Sequence, residues 1–403
     1  MNDGANFPDD LSGEDMGEAF PEEPVEYGFE FTGSGHEYFR IWILDLAFNI
    51  GTLGMYSPWA KVHRKRYFHR NTFLDGYGFD YHGDPISILR GRLVVCGLFF
   101  ALLVFCVLAL PAPPLFPVAL VVVFLPVPWL LVRSLGFHAR NTSYRGLRFE
   151  FHGAYRECAS LVLLGFLLFI AMVIFFPKLW ELLAPIVQAW PVPTTWTKLA
   201  LLLIVVVPAY ALLFHAFKHF EIDRLSFGRS HFACATRWYD FYPIFLSTVL
   251  AVFVFFVFHL FYLRITAFLS VEWPAWSKGS ESFFPYETIL IFLFLVFLAA
   301  IRAYFQSRVA NCVRNGTMLG GCRLVSTQRF KGLFALTLSN WLLASITLGL
   351  YWPWGKVKLA AYRARHTSLI AKGRLTDLVD GGREEACATG KEVPESFDYD
   401  IAL

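Results

Sequence analysis

The sequence predicts an all-α polytopic membrane protein with short cytoplasmic β-strands, built as about five strand-plus-helical-hairpin units. Three observations lead there. Hydrophobic residues make up 56% of the 403 and charged residues only 17%. Soluble globular chains run at about 45–50% and about 25%, so a soluble exterior could not be built from what remains. Several stretches are long and apolar enough to cross a bilayer. Between them, a short pattern of alternating aromatic and polar residues recurs. Large soluble enzyme folds, disordered chains and disulfide scaffolds are excluded on the first observation alone.

The chain starts with a segment of opposite character. Residues 1–26 hold nine acids and no Lys or Arg, whereas the rest carries a net +12. Such an acidic, Gly- and Pro-containing start reads as a disordered tail. No basic stretch followed by an apolar core marks a signal peptide. The seven cysteines are odd in number and contain no C-x-x-C, so neither a disulfide framework nor a zinc site is expected.

Six spans are expected near 93–110, 115–132, 159–177, 199–217, 241–263 and 284–301, each close to the roughly 20 residues that cross hydrocarbon. They pair into three hairpins with tips at 111–114, 178–198 and 264–283, and these tips hold only Lys178, Lys198, Arg264 and Lys278 as cations. The other basic residues cluster at 61–70, 133–156, 218–237, 302–331 and 356–374. The excess of Lys and Arg on cytoplasmic loops then puts these clusters, and both termini, in the cytoplasm. Trp180, Trp190, Trp196, Trp273 and Trp276 near the outer tips form an interfacial aromatic belt.

The recurring pattern is Tyr27-Gly-Phe-Glu-Phe-Thr-Gly33, Tyr77-Gly-Phe-Asp-Tyr-His-Gly83 and Leu147-Arg-Phe-Glu-Phe-His-Gly153. Its period of two is that of a strand. Phe68-His-Arg-Asn-Thr72 and His138-Ala-Arg-Asn-Thr142 precede two copies, Asp75-Gly76 is a hairpin turn signal, and weaker echoes lie near Gly228–Phe232 and Arg314–Val325. The unit is a strand, a helical hairpin whose second arm is basic, and the next strand. Small β-hairpins or a small sheet beneath the helices are expected.

The first and fifth units match each other most closely, in Thr52-Leu-Gly-Met-Tyr-Ser-Pro-Trp-Ala-Lys-Val62 and Thr347-Leu-Gly-Leu-Tyr-Trp-Pro-Trp-Gly-Lys-Val357. The register pairs Phe39 with Phe334, Asp45 with Asn340, Tyr67 with Tyr362, Arg70 with Arg365 and Thr72 with Thr367. Their second arms are short and basic. The favoured reading has them dip into the membrane and return, giving six full spans plus two short broken hairpins at 38–72 and 331–367; full crossing by every arm gives eight spans. The domain plan is an acidic tail at 1–26, one membrane domain at 27–375 and a C-terminal tail at 376–403.

At this motif the chain resembles a known family. The run FTGSGHEYFRIWILDLAFNIGTLGMYSPWAKVHRKRYFHRNTFLDGYGFDYHGDP (31–85) looks like the opening of the bacterial YjgN family, and TLGLYWPWGKVKLAAYRARHT (347–367) fits its C-terminal end. The resemblance covers about 27–375 and implies a multi-pass protein of the bacterial inner membrane, built on a domain of unknown function. It brings no activity and no catalytic residue.

Candidate sites follow from the broken hairpins. Free backbone groups at membrane depth are tolerated where they are buried in protein or line a wet cavity. Thr52, Gly54, Tyr56, Pro58, Trp59 and Lys61, with Thr347, Gly349, Tyr351, Pro353, Trp354 and Lys356, are therefore candidate pathway or substrate contacts. Anchoring at lipid headgroups competes with that reading. Asp45 is an ionisable residue in an apolar arm; with Asn340 as its mate, capping or a buried hydrogen bond stands beside proton or ion binding. Asp80 with His82, and Glu150 with His152, are weak metal candidates, sharing a strand face at i, i+2. His215, His219 and His259 read as polar helix-end residues.

No nucleotide, hydrolase or zinc-protease motif is present in a usable context, so no catalytic residue, cofactor or nucleic-acid partner is expected. Membrane lipids are the expected partners, with a protein partner or homo-oligomer left open. Function is read first as a transporter or channel for an unidentified small solute. The alternative is a non-catalytic scaffold or assembly factor that binds lipid or partner proteins.

Overall fold

A computed structural model describes residues 24–109, 125–188, 194–272, 286–371 and 375. One order of elements, strand–helix–helix–strand, occurs five times. The first segment is β1 (Val25–Phe31), α1 (Gly35–Gly51), α2 (Ser57–Arg70) and β2 (Thr72–Leu74). The second is β3 (Tyr77–Tyr81), α3 (Pro85–Ala109), α4 (Val127–Arg140) and β4 (Thr142–Tyr144). The third is β5 (Leu147–Phe151), α5 (Tyr155–Gln188), α6 (Thr194–Asp223) and β6 (Leu225–Phe227). The fourth is β7 (Ser230–Cys234), α7 (Trp238–Glu272), α8 (Tyr286–Asn315) and β8 (Thr317–Leu319). The fifth is β9 (Cys322–Ser326), α9 (Phe330–Ile346), α10 (Trp352–Arg365) and β10 (Thr367–Ala371).

The strands overturn the all-α expectation. All ten join in one closed antiparallel barrel, in chain order around the ring, with β1 and β10 completing it. Val25 pairs with Ala371 and Gly28 with Ser368 on one side of β1, while Phe29 pairs with Leu74 and Phe31 with Thr72 on the other. The physical reason is edge protection. Strands of three to seven residues are too short to form a stable open sheet, and closure removes every unpaired edge. The aromatic alternation supplies the filling. Tyr27, Phe29, Phe79, Phe149 and Phe232 pack with Leu74, Tyr144, Phe227 and Leu369 into one core, so the barrel is a packed body rather than a pore. Phe79 lies on Tyr144 at 4.8 Å and Phe149 on Phe227 at 4.8 Å between ring centroids.

The glycine that ends each aromatic segment has a steric cause. A Cβ on Gly33, Gly83 or Gly153 would stand 2.6, 2.5 or 2.4 Å from the ring of Phe31, Tyr81 or Phe151, two residues earlier. Each ring folds back over its glycine. Asp75-Gly76 and Arg145-Gly146 both have positive φ (49° and 72°, 49° and 87°), the primed turn that suits strand twist. Arg145 pairs with Asp75 across two neighbouring turns.

The helical hairpins rise from the barrel on a common base. Nine residues after the central barrel side chain stand Tyr38, Ile88, Cys158, Phe241 and Leu333, each at most 2% exposed. Sixteen residues before the last barrel side chain stand Pro58, Pro128, Ala211, Ala303 and Pro353, all buried. The bases are thus built alike although the arms differ greatly in length. Thr72, Thr142, Thr317 and Thr367 each donate a hydroxyl bond back four residues, at 2.7–2.9 Å, where the returning helix meets its strand.

Among the described residues, five helices are long and apolar enough to cross a membrane: Pro85–Phe105, Tyr155–Pro185, Val205–Asp223, Trp238–Phe258 and Ile291–Asn315. Most of the span expected at 115–132, the tip at 111–114, and residues 189–193 and 273–283 of the tips at 178–198 and 264–283 lie outside the described residues, as do nearly all of the two tails. Helices α1 and α9 have 17 residues and α2 and α10 have 14. At 1.5 Å per residue they reach about 26 and about 21 Å, short of the roughly 30 Å of hydrocarbon.

Candidate functional site

The two broken hairpins have the same turn. Thr52 ends α1: its hydroxyl donates to the Phe48 carbonyl (2.7 Å) and accepts the Tyr56 N–H (3.0 Å). Thr347 makes the same pair of bonds with Leu343 (2.7 Å) and Tyr351 (3.0 Å). Leu53 and Gly54 then take φ of 50° and 89°, and Leu348 and Gly349 take 49° and 90°. The Gly54 N–H reaches back to the Asn49 carbonyl at 2.8 Å, and that of Gly349 to Ala344 at 2.6 Å, which satisfies carbonyls that a helix end leaves free. Leu53 and Leu348 stand 95% and 94% exposed at the tips, as apolar points suited to lipid.

Pro58 and Pro353 open the returning helices, where proline needs no donor. Trp59 stacks on Tyr56 (5.7 Å, 11°) and Trp354 on Tyr351 (5.9 Å, 17°). Sequence reading missed a third copy. Pro128-Trp129 opens α4 in the same way, with Pro128 buried in the first turn. Its signal was present: Pro58 and Pro128 each lie thirteen residues before an Asn-Thr pair.

Asp45 and Asn340 both point into their own hairpins. The buried Asp45 carboxylate accepts a bond from His63 Nδ1 at 2.9 Å, linking α1 to α2. Asn340 Nδ2 donates to the Gly355 carbonyl at 3.3 Å, linking α9 to α10. The two hairpins meet through a different residue. Trp354 lies on Phe39 of α1 (4.7 Å, 29°) and against His36 (5.8 Å). They are therefore neighbours around the ring, with α10 on α1.

Lys61 and Lys356 occupy the same place on α2 and α10, and both ammonium groups are held below the ordinary lysine value. For Lys61, burial comes first and repulsion from Arg92 and Arg64 second; for Lys356, burial comes first, then Arg64, Arg302 and Arg363. Nearby, Lys65 Nζ donates to His138 Nδ1 at 2.9 Å and sits 4.9 Å over the Tyr81 ring. Burial, then Lys61 and Arg64, pushes Lys65 down to about 8. Burial, then Lys65, Lys61 and His69, pushes His138 down to about 3.

The weak metal candidates are engaged elsewhere. Asp80 takes a two-pronged bond from Arg70 at 2.9 and 3.2 Å, and His82 bonds Ser143 at 2.9 Å. His152 bonds Ser226 at 3.1 Å and lies 3.4 Å from Glu150. Among the described residues no three His, Cys, Asp or Glu gather as ligands would. His215 and His219 both bond the Thr236 carbonyl, each at 2.9 Å. The side chain of His259 lies outside the described residues.

Comparison with known proteins bears on the whole of this architecture. A family described as bacterial protein of unknown function (DUF898) matches residues 26–395, from the first strand of the barrel to beyond the last. The chain belongs to this family. It is 25% identical over 357 residues to inner membrane protein YjgN of Salmonella typhimurium, covering 84% of this chain and 87% of that one. It is 33% identical over 129 residues to inner membrane protein YjgN of Escherichia coli K12, where the match spans 31% of each chain. No solved structure matches. With five apolar helices of spanning length, this DUF898 member is a membrane protein.

Proposed function

We propose that this is a multi-pass protein of the bacterial inner membrane, made of five copies of one strand–hairpin–strand unit, whose hairpins hold lipid as a non-catalytic scaffold. The observation that carries the reading is the poor self-burial of the spans. None of the Tyr155–Pro185 window is buried, and at most 17% of any other. Helices that bury so little on each other leave apolar faces that lipid must cover. The packed core supports the same reading, since Phe29, Phe79, Phe149 and Tyr144 occupy the barrel. The relatives' names support the inner membrane, and the basic residues of α2, α4 and α10 support a cytoplasmic barrel with both chain ends on that side.

The test is native mass spectrometry of protein extracted in mild detergent. Lipid is expected to stay bound after extensive washing, with the fold intact. A folded protein stripped of all lipid would contradict the reading.

A second reading, solute transport, is favoured by one observation. Asp45 and His63 form a polar pair inside a hairpin whose first arm is apolar from Ile41 to Phe48 but for Asp45, and such groups carry protons in many transporters. Proteoliposome flux that Asp45→Asn abolishes would move the account to that reading.

A further inference from the structure

The fourth hairpin departs from the third at one place. In the third, Arg224, just before β6, donates to Glu157 near the start of α5 at 2.9 and 2.6 Å. The fourth has Asp240 at the position of Glu157: it stands one residue before the buried Phe241, as Glu157 stands before the buried Cys158. At the position of Arg224, just before β8, it has Gly316. No side chain fits there, since a Cβ would stand 2.3 Å from Thr236 Cγ2. The fourth unit keeps the acid of the pair and leaves open space for its cation: Asp240 and Gly316 both line a cavity of about 590 Å³ at the base of α7 and α8.

The cavity offers both signs of charge. Asp240 Oδ2 accepts the Arg237 N–H at 2.8 Å, a bond that fixes the carboxylate at the start of α7, while the Arg237 guanidinium bonds the Tyr239 hydroxyl. Two other guanidinium groups line the same space. Arg308 of α8 lies 5.8 Å over the Tyr304 ring, and Arg323 of β9 donates through Nε to the Asn315 carbonyl at 3.1 Å. A guanidinium has five N–H donors, so one such bond leaves a fork for phosphate. The volume lies within the roughly 300–1,000 Å³ of small-molecule sites. Its level is that of lipid headgroups. The spanning window of α7 opens at Trp238, where Trp238 and Tyr239 are 45% and 46% exposed, as interfacial aromatics are. Pro243 and Ile244 are apolar parts of the lining. Farther along α7, Leu250 and Val254 are 50% and 64% exposed, a surface for acyl chains.

We propose that this cavity binds the headgroup of an aminophospholipid, with the phosphate on Arg308 and Arg323 and the ammonium on Asp240, as Arg224 stands on Glu157 in the unit before. The assignment rests on the lipid-scaffold reading and adds to it a headgroup and a place. Water-soluble glycerophosphoethanolamine shares the headgroup's chemistry but has no use for the apolar face of α7.

The test uses the full-length protein, washed in detergent and offered mixed micelles of phosphatidylethanolamine and phosphatidylglycerol with the same acyl chains. Retained lipid is counted by native mass spectrometry. The wild type is expected to prefer phosphatidylethanolamine. Asp240→Asn keeps a residue that caps helices well but should cut that preference roughly tenfold, the size of one lost charge-assisted hydrogen bond. Arg308→Gln/Arg323→Gln, at two exposed positions, is the second probe should Asp240→Asn unfold. It should lower the retention of phosphatidylethanolamine by roughly tenfold or more. Equal retention of the two lipids by the wild type, or wild-type retention of phosphatidylethanolamine in either variant, overturns the site while leaving the scaffold reading intact. Displacement of the retained lipid by glycerophosphoethanolamine overturns the lipid assignment. Absence of any retained lipid overturns both.

Discussion

Trp354 of α10 stacks on Phe39 of α1 at 4.7 Å between ring centroids. This contact closes the helical ring above the barrel, as the pairing of β1 with β10 closes the barrel itself. Gly35 makes room for it, since a Cβ there would stand 2.3 Å from Trp354 Cδ1.

Gly35→Ala should therefore unseat Trp354 and destabilise the protein by about 1–3 kcal/mol, the range for forcing extra volume into a packed contact. Thermal unfolding in detergent measures it. An unchanged midpoint for Gly35→Ala would show that Trp354 is not seated against α1.

The twin turns predict twin effects. Gly54→Ala and Gly349→Ala place a side chain at φ of 89° and 90°, which costs roughly 1–2 kcal/mol each. Because the two turns share one geometry, the losses should agree closely and add in the double variant. A loss at only one of the two glycines would break the equivalence.

Asp45→Leu removes the acceptor of the His63 ring N–H and should destabilise the first hairpin by about 1–3 kcal/mol. Asp45→Asn keeps an acceptor, as Asn340 does at the matching place, and should be milder. Hydrogen exchange along α1 and α2 reads this out. Equal protection in wild type and Asp45→Leu would mean that the pair does not hold the arms together.

Acid should weaken the interface of the first two hairpins. His138 falls from 6.5 to about 3 on folding, so the unfolded chain takes up its proton more readily. Its contribution is complete above 6.5 and is lost as pH falls through that window toward about 3. Lys65, lowered from 10.5 to about 8, works in the same sense at alkaline pH: stability rises between those values. His138→Gln should flatten the acid limb of the stability–pH curve. A limb of unchanged slope in that variant would assign it to other groups.

The strands 27–31, 77–81 and 147–151 were legible because alternating aromatics with a trailing glycine leave a period-two mark. The match between Tyr67 and Tyr362 was legible too, and it has a structural counterpart: each hydroxyl reaches the carbonyl just before its hairpin, at Ser34 (2.7 Å) and Arg329 (3.1 Å). Closure of the barrel was not legible. Strands such as Leu225–Phe227 and Thr317–Leu319 have three residues, too few to carry a period, and β1 and β10 lie at opposite ends of the sequence. The meeting of the two broken hairpins was hidden for a related reason: Phe39 and Trp354 lie near opposite ends of the sequence, and only the ring order brings them together.

The central claim, that the two ends of the chain close one barrel, is tested most directly by a disulfide between β1 and β10. Glu26 and Ile370 are paired across that seam, and Ser143 with Arg148 across the β4–β5 hairpin serves as control. With both pairs replaced by cysteine in separate variants and oxidised in native membranes, the 26–370 variant should form an intramolecular cross-link as readily as the 143–148 control. A control that cross-links while the 26–370 pair does not would contradict the closed barrel.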